Sequence, residues 1–161
     1  MNPTHIHLLL NHVSILGSLF SIVILFSGIY FKSEILKRTA YSGLVIAALV
    51  AIPVFLTGED AEESVEHLSG VQKSTIHEHE EAAEFSIWMM ELAGAISLLV
   101  LTLSIRSAKQ NRILILLLIV ISVIAAASIS YTGYLGGKIR HTELVTGNLG
   151  NQNNAQEEDD D

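Results

Sequence analysis

The chain has 161 residues, half of them hydrophobic, and a formal net charge of -8. Both hold at once because Leu, Ile, Val and Ala gather in four blocks while Asp and Glu collect in the connections and the final residues, which excludes an ordinary soluble globular domain. With no cysteine, disulfides, thiolate metal sites, thioether-attached haem and a lipid-modified cysteine anchor are excluded, so any metal must be held by His, Asp, Glu or Met.

Met1 to His7 carry no basic segment, and no small-residue cleavage site with the usual spacing follows. The first apolar block, about 8–31, is therefore expected to be a retained helix. Lys32, Lys37 and Arg38 separate it from the second, about 39–57, where Pro53 is expected to kink the outer end. Beyond Gly58, Ala61, Val65 and Leu68 form a thin stripe opposite Glu59, Glu62, Glu63 and Glu66, which predicts a short surface helix over about 59–69, ended by Gly70. On it Glu63 and His67 are four apart and adjacent, and with Glu59 they form a candidate partner-binding loop. Thr75 and Glu78 fit a capping box, so the third helix is expected to begin near Ile76 and run to 105, its apolar part starting at Phe85. Arg106, Lys109 and Arg112 lead into the fourth helix, about 113–135. Residues 146–161 are too polar to bury anything and are expected to be a disordered acidic tail, leaving 1–145 as the helical domain.

Each block reaches the roughly 20 residues that span a hydrocarbon layer of about 30 Å, and in lipid only helices satisfy such a backbone. The fold class is therefore all-α: an integral membrane four-helix bundle. Six of the nine basic residues lie in the two short connections, with only Glu34 among the acids, so the positive-inside rule places both termini and the 58–84 connection outside the cytoplasm. The expected location is a bacterial inner membrane with a periplasm-facing end, and the expected surroundings are the lipid bilayer; nothing suggests nucleic acid. Small residues at Gly17, Ser18, Ala47, Ala48, Ala51, Ala93 to Ala95 and Ala125 to Ser128 suit close helix approach.

Glu91 lies about two turns inside the third apolar block, where ionisable groups are rare and usually paired or functional. Helical spacing puts His77, Glu84 and Glu91 in one column. His12 lies at a similar depth on helix one, so a His12–Glu91 contact is expected, the carboxylate fixing the imidazole tautomer. His77 and His79 point to different faces; His79 shares its face with Ala82, Ala83, Ser86 and Met90 and is expected to be the inward one. His141 could fold back over the same end. No HExxH, nucleotide loop or nucleophile elbow is present.

The segment His7-Leu-Leu-Leu-Asn-His12, His79 at the start of the third helix, and Gly133-Tyr-Leu-Gly136-Gly137 followed by His141 resemble a family of small four-helix bacterial membrane proteins, some suspected of binding haem. Leu-Asn-His near the start and Leu56-Thr57-Gly58-Glu59 are similar to its Bacteroidetes-type members. The proline usual after the family's first histidine is missing, and the gap from Gly137 to His141 is short.

One expectation is a cofactor site at the extracytoplasmic end of the bundle, serving electron transfer or metal handling. Haem b would take His12 and His79 as axial ligands; copper or iron would be held by His12, His79 and Glu91 with His7 or His141. Glu91, Glu84 and His77 would support the ligands or relay protons. The alternative is a non-catalytic accessory or assembly subunit of a larger membrane complex or respiratory partner. A proton path along Glu84 and Glu91 is the third, and it lacks groups that would continue it to the cytoplasmic side.

Overall fold

The computed structural model describes residues 3–58, 61, 63, 71–106 and 112–140. Among them are four helices: α1 (Pro3–Tyr30), α2 (Glu34–Leu56), α3 (Lys73–Arg106) and α4 (Arg112–Arg140). All four are long and apolar enough to cross a membrane. Each packs on its chain neighbour, and α4 closes the ring against α1, giving an up-down-up-down bundle. The end where α1 and α3 begin is the histidine end; the opposite, basic end carries the turn between α1 and α2.

The inward positions alternate three and four residues apart. On α1 they are Ser14, Ser18, Ser21 and Leu25; on α3, Ser86, Met90, Ala93, Ser97, Val100 and Ser104; on α4, Leu118, Ser122, Ala125, Ile129 and Thr132; all are buried. This is the seam of helices supercoiled about one another. Every buried polar residue on it is a serine or threonine. Small side chains let backbones approach closely, as where a Cβ at Gly94 would stand 2.5 Å from that of Ala48. Phe20, Phe26, Leu49, Leu98, Leu116 and Val120 face outward and exposed.

Local chemistry sets the helix ends. α1 stops in a Schellman turn: Ser33 N–H donates to the Gly28 carbonyl at 2.9 Å and Lys32 N–H to that of Ile29 at 3.2 Å, with Lys32 at φ 51°. Ser33 then caps α2, its hydroxyl oxygen accepting from Leu36 N–H. α2 thus begins five residues before the expected 39. α3 begins at Lys73 rather than near Ile76, with Thr75 N–H already bonded to the Gln72 carbonyl, so Thr75 lies inside the first turn and not at a cap. α4 continues past the expected 135 through Gly136 and Gly137 to Arg140. In the 59–69 stretch, Ala61 and Glu63 are described and helical; the rest, with the 146–161 tail, lies outside the described residues.

Candidate functional site

An open cavity of about 500 Å³ occupies the histidine end, with all four helices in its wall. Its sides are mainly apolar, from Ala51, Val54, Phe55, Leu56, Ile87 and Ile129; its polar groups are His7, Asn11, His79, Ser86 and Thr132, with His77, Glu80, Glu81 and Glu84 toward the mouth. A concave, largely apolar space with few converging polar groups is the usual form of a cofactor or ligand site, and the volume lies within the ~300–1,000 Å³ range of such sites.

The two inward imidazoles are held alike. His7, on α1, donates its Nδ1–H to the Val54 carbonyl of α2 at 2.9 Å, and the Thr57 hydroxyl oxygen lies 3.3 Å from the same nitrogen. His79, on α3, donates its Nδ1–H to the Thr132 carbonyl of α4 at 3.0 Å. A carbonyl can only accept, so these bonds put a proton on Nδ1 in both rings. With Nδ1 so committed, the lone pair of a neutral ring lies on Nε2, as in metal-bound histidines whose other nitrogen donates to a carbonyl. Both rings line the same cavity. Beneath His79, the Thr132 hydroxyl donates to the Ser128 carbonyl at 3.1 Å, so Ser86 supplies the proton in the 2.9 Å bond between the two hydroxyls.

A glycine lies beside each ring, and Gly136 makes room for that of His79. A Cβ at Gly136 would stand 3.2 Å from Cε1 of His79, tighter than ordinary contact, and one at Gly58 3.8 Å from Cε1 of His7. Gly136 belongs to the Gly-x-Leu-Gly-Gly segment, and Thr57 and Gly58 to Leu-Thr-Gly-Glu. Both short motifs therefore converge on the cavity histidines.

His79 faces inward as expected, but the expected His12–Glu91 contact does not form. His12 is exposed, its Nδ1 bonded 2.6 Å away to the Leu8 carbonyl of its own helix. The reason is register: the α1 seam, continued outward from Ser14, passes through Asn11 and His7 and leaves His12 one step to the side. Glu91 stands one step off the α3 seam, beside Met90, with its Oε1 buried and without a hydrogen-bond partner among the described residues. Glu84 and His77 reach the mouth; His77 lies 3.5 Å from Glu80 and 3.4 Å from Glu81 on the exposed face of α3. Glu63 is exposed; Glu59, His67 and His141 lie outside the described residues.

No three His, Asp or Glu side chains are grouped to hold a bare metal ion among the described residues. Among the described residues the cavity is thus lined by His7 and His79 and not by His12. Toward the basic end, Leu25, Tyr41, Leu44, Val100 and Leu118 pack together in the interior. Neither a family model, nor a curated protein, nor a solved structure matches this chain.

Proposed function

We propose that the protein is an integral bundle of a bacterial inner membrane, with its histidine end and both termini outside the cytoplasm, and that the cavity holds haem b between His7 and His79 for electron transfer. Membrane insertion is supported by the outward apolar faces: on α1 exposed side chains run from Leu8 to Tyr30, roughly 30 Å at 1.5 Å per residue. Exposed Trp88, Tyr131 and Tyr134 near the cavity and Tyr30 and Phe31 at the basic end fit interfacial aromatic belts. Orientation rests on Lys32, Lys37, Arg38, Arg106, Lys109 and Arg112 in the two short connections.

The donor set carries the cofactor reading. The cavity offers two carbonyl-oriented imidazoles and no third grouped ligand among the described residues. A bare copper or iron ion asks the protein for three or four ligands, whereas iron held in a porphyrin brings its own nitrogens and asks for two. Haem, when bound, would supply one-electron redox chemistry. The chain's part is to fix both rings and exclude water with Val54, Phe55, Ile87 and Ile129. A second reading, transition-metal handling, is favoured by one observation: Glu80, Glu81 and Glu84 make the mouth acidic, which attracts cations.

A visible spectrum with elemental analysis of the purified protein tests both. The expected result is haemin uptake with a Soret band, altered in His79→Ala by loss of one of the two imidazoles. Protein that stays colourless with haemin and holds stoichiometric copper or iron would establish the second reading. Protein that takes up neither would end both.

A further inference from the structure

The two halves of the chain repeat one another. α1 and α2 form a hairpin, α3 and α4 form a second, and both leave from and return to the histidine end. At one constant offset, His7 and Ser14 of α1 correspond to His79 and Ser86 of α3, and both serines are buried. At another, Ala47, Ala48 and Val54 of α2, with Gly58 two residues beyond its end, correspond to Ala125, Ala126, Thr132 and Gly136 of α4, and the four alanines are all buried. The correspondence extends to bonding. His7 takes the carbonyl of Val54 and lies against Gly58; His79 takes the carbonyl of Thr132 and lies against Gly136. In each hairpin, then, a histidine of the first helix is fixed on a second-helix carbonyl, four residues before a glycine.

We propose that the bundle is a tandem pair of one helical hairpin, and that His7 and His79 form a matched pair: one carbonyl-and-glycine clamp, made twice, holds both rings as the Nδ1–H tautomer and presents both Nε2 atoms to the same ligand. Gly58 and Gly136 are positioning residues. A Cβ at Gly136 would crowd the His79 ring at 3.2 Å, whereas one at Gly58 would meet the His7 ring at an ordinary contact of 3.8 Å, so a larger, branched side chain is needed there to press on the imidazole. Hairpins that start and end on one face repeat about an axis along the membrane normal, which would set the two rings on opposite sides of that axis. The pairing specifies which histidines serve the haem reading, and in that sense rests on it, but the clamp itself needs no cofactor.

The test is nitrogen NMR of the full chain, labelled at histidine and held in lipid nanodiscs without cofactor, with signals assigned by loss in His7→Phe and His79→Phe. His7 and His79 are expected with a protonated Nδ1 and a bare Nε2. Gly136→Ala is expected to disturb the His79 signals and leave those of His7, and Gly58→Val to do the reverse. If either ring carries its neutral-state proton on Nε2 in the unsubstituted chain, the inference falls, whatever the variants do. Haemin titration separates the two ideas. The stated tautomers in protein that takes up no haemin would uphold the clamp and remove the haem reading. Haemin bound with two imidazoles, one of them lost in His7→Ala and in His79→Ala and restored by added imidazole, would uphold both. Haemin uptake unaffected by either substitution would overturn the matched pair.

Discussion

At the basic end the four helices close on Leu25, Tyr41, Leu44, Val100 and Leu118, whereas at the histidine end the same seams carry His7, Asn11, Ala83 and Gly136 and enclose about 500 Å³ of open space. Helix spacing is set by the largest side chains between the backbones. A layer of Leu, Val and Tyr fills the gap it creates; a layer with Ala and Gly beside two imidazoles tethered to neighbouring helices does not. The lower half therefore supplies packing, and the upper half a shaped space in which two imidazoles are each held through one nitrogen.

Five substitutions would sharpen or break this contrast. Leu118→Ala, in the closed layer, is expected to cost about 2–5 kcal/mol in unfolding from detergent micelles, and Ile87→Ala in the cavity wall clearly less. Equal losses would mean that the cavity wall is as tightly packed as the layer below. Ser33→Ala removes the cap of α2 and is expected to cost about 1 kcal/mol in the same measurement, with no change in haemin uptake. Lys32→Gly acts in the other direction. The left-handed conformation at φ 51° costs a non-glycine residue about 1–2 kcal/mol, offset in part by the greater freedom of glycine when unfolded, so a gain of under about 1 kcal/mol is expected. His12→Ala is expected to change stability by less than about 0.5 kcal/mol and to leave haemin binding intact. A large loss of uptake in that variant would return His12 to the site.

The four helices were legible because hydropathy over some twenty residues is a strong signal, and the inward turn of His79 followed from its small neighbours. The ligand pair was harder. Depth and chemical type alone favour His12 with Glu91, since both lie inside apolar blocks. Stepping outward from Ser14 by three and then four residues reaches Asn11 and His7 instead, while the α3 seam steps from Ser86 through Ala83 to His79. Rotation about the helix axis, not distance along it, decides which groups meet. α4 runs past the apolar block that ends at 135, and Gly136 sits in the helix against the ring of His79. No signal short of the paired carbonyls would have shown that Val54 and Thr132 do equivalent work.

The sole covalent tie between the two hairpins is the acidic stretch that follows Gly58. Chain severed there would yield fragments of two spans each, and the faces that join them, α2 against α3 and α4 against α1, belong to the fragments themselves. Separately expressed halves should then find one another in the bilayer and complement, and a half from one molecule could take its place beside the other half of a second.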